Sequence, residues 1–189
     1  MSTRHLLAAA AVALMAAACT TTPNLATDTT IAAKRESIDA DADAAIKSLQ
    51  TQVPASRELL AQAHGVLVFP RVISAGLVVG GSHGRGVLRT GNTTAGYYNA
   101  TGANVGLVAG ADSKEVFVLF MTQDALDRFV NSHGWTAGVD ASVTFLKVGA
   151  DGTVTTQTVQ QPIVGFALSN AGLMANLSIE GMKFTRVDN

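Results

Sequence analysis

The sequence predicts an α+β fold, mainly antiparallel β, in which a barrel-like or sandwich sheet carries N-terminal helices and one inserted helix. Three observations lead there. From Gly65 onward, apolar and β-branched runs recur at short spacing and are separated by turn residues. Helical spacing is confined to two stretches before Gly65 and one after it. The 18 glycines and an aromatic content of 5% suit a turn-rich β body. Strands in close succession with few helices between them favour antiparallel pairing over a doubly wound sheet. A chain of 189 residues, 48% of them hydrophobic, has room for one domain plus extensions. The formal net charge of −1 names no partner.

The elements follow in chain order. Residues 1–18 read as a signal peptide: Arg4 and His5 open it, and Leu6 to Ala18 is an unbroken apolar run too short to span a bilayer. Ala16-Ala17-Ala18-Cys19 resembles the bacterial lipobox, which implies cleavage before Cys19 and acylation, for instance with palmitate, on its thiol. Plain secretory cleavage at the Ala-x-Ala site is the alternative. Cys19 is the single cysteine, so no intrachain disulfide forms. Thr20 after it, where Asp would differ, resembles lipoproteins sent to the outer membrane. The expected location is therefore the bacterial cell envelope, lipid-anchored, facing the periplasm or cell surface. Residues 19–30, Thr-rich with Pro23, read as a flexible tether.

Residues 31–63 read as helices. Ile31, Ile38, Ala42, Ala45, Ile46, Leu49 and Val53 fall on one stripe of a helix over 31–52. Lys34, Arg35, Glu36, Asp39, Asp41, Asp43 and Lys47 lie on its other side, read as a solvated face. Asp39-x-Asp41-x-Asp43 lacks the glycine and closing glutamate of a calcium loop. Pro54 breaks the helix, a short one runs over 55–63, and Gly65 is placed to end it.

Residues 64–189 read as the β-rich domain. Strands are expected over 65–69, 72–80, 86–90, 96–100, 105–109 and 115–122, with a tight turn at Gly91-Asn92. Ala125, Leu126, Phe129 and Val130 mark the inserted helix, stopped by Gly134. Strands are expected again over 139–148, over 153–160 after an Asp151-Gly152 turn, and over 163–168, 173–179 and 182–187. Scarce aromatics and the opening helix argue against a membrane-spanning barrel.

Chemical motifs are few. Ser74 lacks a nucleophile elbow, and His64, His83 and His133 lie far apart with no cysteine beside them. Val87 stands where a phosphate-loop lysine is required. Asp112, Glu115, Asp140 and Glu180 are carboxylates without a pattern, and Asp124 and Asp127 suit a helix N-terminus. The expectation is no enzyme, no metal, no cofactor and no nucleic-acid partner. One window stands out: from Leu59 to Ala111 there is no Asp or Glu, while Arg71, Arg85, Arg89 and His83 fall inside it. Gly80, Gly81, Gly84 and Gly86 form a glycine cluster there, read as a loop whose amides suit an anion. A twisted sheet corner whose glycines serve packing is the other reading.

That window also carries a resemblance. Ala63-His64-Gly65-Val66-Leu67-Val68-Phe69-Pro70 and the run from Ala75 to Leu88 resemble the SYLF domain family. So do Val105–Ala111, Gly138–Val143, Ser169–Ala175 and Ser178–Gly181, which extends the likeness over most of 57–187. The resemblance implies phospholipid binding and, in some members, actin binding. Tyr97-Tyr98 stand where the family often has Trp-Ser, and residues 28–64 hold four Lys or Arg against six Asp or Glu, where eukaryotic members carry a basic helix. The expected function is a membrane-anchored lipoprotein binding phospholipid at Arg71, His83, Arg85 and Arg89. The alternative is an envelope structural or protein-interaction module that takes no headgroup.

Overall fold

The structure, a computed structural model, describes residues 25–76, 79–105, 110–146, 161–169, 172–173 and 179–187. The chain divides into two units after Lys34. Of the first, residues 25–34 are described, and they form the start of a helix. The packing and contacts described below lie within the unit from Arg35 on.

It is an α+β fold: three helices and a mostly antiparallel sheet curled as a half-barrel. The helices are α1 (Leu25–Gln52), α2 (Ser56–Gln62) and α3 (Gln123–Val130). The strands are β1 (Gly65–Gly76), β2 (Val79–Thr90), β3 (Thr93–Val105), β4 (Gly110–Phe120), β5 (Trp135–Thr136), β6 (Thr144–Phe145), β7 (Ile163–Ser169), β8 (Gly172–Leu173) and β9 (Lys183–Arg186). Their order is β5-β9-β3-β2-β1-β4-β7-β6, with β8 beside β7. Among these strands only the β6–β7 pair is parallel.

Both faces of the sheet are buried at its centre, which is why β1, β4 and β7 read as continuous apolar runs. On one face Leu67, Phe69, Val72, Leu88, Val118 and Phe120 pack under Leu126 and Phe129 of α3. Stacked and tilted rings continue this core, with Phe120–Phe129 centroids 4.8 Å apart and Phe69–Phe184 5.1 Å apart. On the other face Val66, Val68, Val87, Phe117 and Phe166 pack under Ala42, Ala45, Leu49 and Val53. The expected helix stripe thus meets the sheet from Ile38 to Val53, whereas Ile31 is 41% exposed. The α3 helix starts where Thr122 accepts a hydrogen bond from the Ala125 amide at 3.3 Å, an N-cap.

Several sequence expectations are corrected. Helix α1 begins at Leu25, ahead of Ile31, because Leu25 and Ala26 favour helix and Asp28 suits its first turn. Gly65 does not end α2; it opens β1, where a Cβ would lie 2.7 Å from the Leu126 side chain. Pro70 does not divide β1, because the strand absorbs it in a bulge between Phe69 and Val72. Val139 is not in a strand but in a turn, 78% exposed. The strand expected over 153–160 and its turn lie outside the described residues.

Candidate functional site

The sheet face that α1 covers continues past the helix into the open. Beyond Val68 and Val87, its next members are Arg71, Ile73, His83 and Arg85, all exposed. Register places Arg71 directly opposite Arg85 and Ile73 directly opposite His83. The rows extend outward: His83 pairs with Thr101 and Thr101 with Lys183, while Ile73 pairs with Ser113 on the other side. Ile73 is 49% exposed. The result is a patch with three guanidinium or imidazole groups around one bare aliphatic side chain. Of the four expected headgroup residues, the structure brings Arg71, His83 and Arg85 together.

Arg89 is not part of this patch. It sits under α1, with its side chain 15% exposed, and its Nη2 lies 2.8 Å from Asp43 Oδ1 and 3.3 Å from Asp39 Oδ1. Its Nη1 donates to Thr94 Oγ1 at 2.7 Å. Asp39 also accepts from Thr94 Oγ1 at 2.9 Å and from the Tyr97 hydroxyl at 2.7 Å. Arg35 stacks over the Tyr97 ring, 5.2 Å from its centroid. Asp39 and Asp43 therefore belong to a clamp that holds α1 to the sheet; the solvated-face reading fails for Asp39, while Asp43 stays exposed beside Arg89. Burial, the Asp39 hydrogen bond and the Asp39 charge push the Tyr97 phenol up. Tyr98 turns inward onto Phe129, at 4.9 Å, and burial pushes its phenol up too.

The glycine cluster is not a loop. Gly80, Gly81, Gly84 and Gly86 all lie within strand β2, and the positive-φ glycines are elsewhere, at Gly91, Gly134, Gly138, Gly172 and Gly181. Close approach explains three of them. A Cβ at Gly86 would strike the Val68 carbonyl and the Phe69 ring, one at Gly84 would lie 2.8 Å from Val72 Cγ2, and one at Gly80 would strike the Ala75 carbonyl. The packing reading wins, since these amides serve the ladder.

Sequence reasoning gave Glu115 no role. It pairs with Leu168 on the α1 face, and burial pushes its carboxyl up while a hydrogen bond from Ser48 pulls the other way. Its alternation with Phe117 and Leu119 was a legible sign of an inward acid. Among the described residues no cluster of His, Cys, Asp or Glu is placed to hold a metal. His64, His83 and His133 are all exposed. Cys19 lies outside the described residues.

Among the described residues, the curled sheet leaves an open face that carries Arg71, His83 and Arg85 around Ile73. Residues 101–189 match the family model Ysc84, described as Las17-binding protein actin regulator, and are therefore similar to a SYLF/Ysc84-like domain. The match begins inside β3 and includes Glu115 but not Arg71, His83 or Arg85. A comparison with curated proteins gives no match.

Proposed function

We propose that this chain is an envelope interaction module that docks an acidic protein segment on the face of Arg71, Ile73, His83 and Arg85. The observation that carries the reading is the Arg71–Arg85 pair. Like charges directly opposite on neighbouring strands destabilise a sheet, and neither guanidinium has an ion pair among the described residues. An anionic partner would offset that repulsion, and Ile73, the next exposed residue along β1, would bury apolar area on docking. The family description, which names a protein partner, supports a protein over a lipid. The anchor is Cys19: acyl chains there would tether the domain to a bacterial envelope membrane, facing the periplasm or the surface.

A second reading has the same face seat a phospholipid headgroup, and a tether that keeps the domain at a bilayer favours it. One experiment separates the two. The full chain with Cys19→Ala, which cannot be acylated, is titrated with a fluorescent poly-glutamate peptide and with phosphatidylglycerol vesicles. Peptide binding that falls with salt and is lost in Arg71→Glu/Arg85→Glu supports protein docking. Vesicle binding lost in the same variant supports the headgroup reading. Binding of neither probe, or binding unchanged in the folded variant, removes this face as the site.

A further inference from the structure

A cleft of about 440 Å³ lies where the C-terminal half of α1 crosses the bulged part of the sheet. Ser48 and Gln52 of α1 line it, with Pro70 and Arg71 of β1 and Ser113 and Glu115 of β4; Lys114 lines it too. Register explains how an acid and a base come to share it. Phe69 pairs with Val116 and Val72 with Lys114, so Pro70 and Arg71 together stand opposite Glu115 alone. Two residues facing one is a β-bulge, a device that re-aims side chains, and proline suits it because it has no N–H to leave unpaired. Past the bulge, Arg71 stands on the same face as Arg85 and Val87, which is the face that Glu115 shares with Leu168 and Phe117.

Three charged side chains, Arg71, Lys114 and Glu115, line the cleft, and neither cation closes on the acid in an ion pair among the described residues. Gln52 donates to Ser48 Oγ at 2.9 Å and Ser48 bonds the Glu115 carboxyl, which fixes the acid in place. Its Oε2 remains buried with no hydrogen-bond partner. A buried, unpartnered carboxyl oxygen calls for a donor.

We propose that this cleft seats a small zwitterion, with a primary ammonium donating to Glu115 and a phosphate on Arg71, the chemistry of a phosphoethanolamine group. The ligand supplies the opposite charge at each end, and Ser48, Gln52 and Ser113 offer hydrogen bonds between. A quaternary ammonium has no N–H for Oε2, so the cleft discriminates against phosphocholine. The source is either a lipid headgroup or a soluble compound. This inference stands without the docking reading, because its decisive residue is Glu115 and its decisive comparison is between two soluble zwitterions.

The test uses the full chain with Cys19→Ala. O-phosphoethanolamine and phosphocholine are titrated calorimetrically, and vesicles of phosphatidylcholine with and without phosphatidylethanolamine are sedimented with the protein. The expected result is that phosphoethanolamine, or the vesicles that contain it, binds at least about tenfold better than the choline counterpart, the size of one lost charge-assisted hydrogen bond. Glu115→Gln is expected to weaken that binding about tenfold as well. Binding to vesicles alone assigns the lipid source, and binding of the soluble compound alone assigns the free one. Equal binding of ethanolamine and choline forms, no binding in either arm, or undiminished binding in folded Glu115→Gln overturns the proposal.

Discussion

Gly81 and Gly86 lie five positions apart in one strand and answer to different demands. A Cβ at Gly81 would meet nothing nearer than the Gly102 carbonyl at 3.8 Å, whereas at Gly86 it would strike the Val68 carbonyl and the Phe69 ring. Gly86→Ala is expected to cost about 1–3 kcal/mol by overpacking, and Gly81→Ala less than about 0.5 kcal/mol, both read from urea unfolding. Glu115 gives a second residue-level test. Burial raises its carboxyl pKa in the fold, so the folded state holds that proton more firmly than the unfolded chain. The stabilising contribution is complete below the ordinary carboxylate range and is lost as pH rises through the raised value. Above the raised value the ionised side chain is a burden, and Glu115→Gln is expected to raise the unfolding midpoint there. The gain should vanish as pH falls below about 4, where the wild-type carboxyl is neutral too. An equal gain at both pH values would show that burial of the charge is not the cause. The inward phase of Glu115 could be read from its alternation with Phe117 and Leu119 alone. Its pairing with Ser48, 67 positions earlier in the chain, could not, because spacing along one element carries no information about its neighbour across the interface.

Helix α1 shows the same division at the scale of an element. Its stripe of Ala42, Ala45, Leu49 and Val53 was legible from three- and four-residue steps, and the structure buries all four. The stripe is thin, since two of its members are alanines. The rest of the hold comes from Asp39 and Asp43 on Arg89, Thr94 and Tyr97, contacts that cross 46 to 58 positions of sequence. Asp39→Ala is expected to cost about 1–3 kcal/mol, since it strips three donors of their acceptor. Amide exchange over residues 35–52 should speed up more than exchange in β7, because the loss is local to the clamp. Uniform acceleration across both would mean that α1 and the sheet open as one unit. Alkali should loosen the same clamp. The raised Tyr97 phenol contributes stability that is complete below the ordinary phenol value near 10 and is lost as pH climbs through the raised one. Tyr97→Phe should therefore flatten the alkaline fall of the unfolding midpoint, leaving the part that belongs to Tyr98. Strand β1 was misread for a related reason. Proline ends a strand in isolation, but between two paired neighbours it can occupy a bulge, and only the register of β4 reveals that.

Across the whole molecule, the acid-free window from Leu59 to Ala111 promised a single cationic site. Folding splits it. Arg89 is neutralised by carboxylates from α1, Arg71 comes to stand beside Glu115 from β4, and among the described residues Arg71, Ile73, His83 and Arg85 keep an open face. A formal net charge of −1 supplies no long-range attraction to an anionic surface, so a patch this small acts only within about a Debye length of its target. Something else must bring it there. Acyl chains on Cys19 would do so, since each buried CH₂ contributes about 0.8 kcal/mol and several chains hold a protein at a bilayer without help from charge. The two contributions separate by experiment. In cells, Cys19→Ala should move the chain from the membrane fraction to the soluble one, whereas Arg71→Glu/Arg85→Glu should leave it membrane-bound and abolish only partner docking. High salt should strip neither wild type nor the double variant from the membrane, because hydrophobic anchoring does not depend on screening. If Cys19→Ala stays with the membrane and salt releases it, the charged face rather than the acyl chain is the anchor, and the headgroup reading then outranks the protein one.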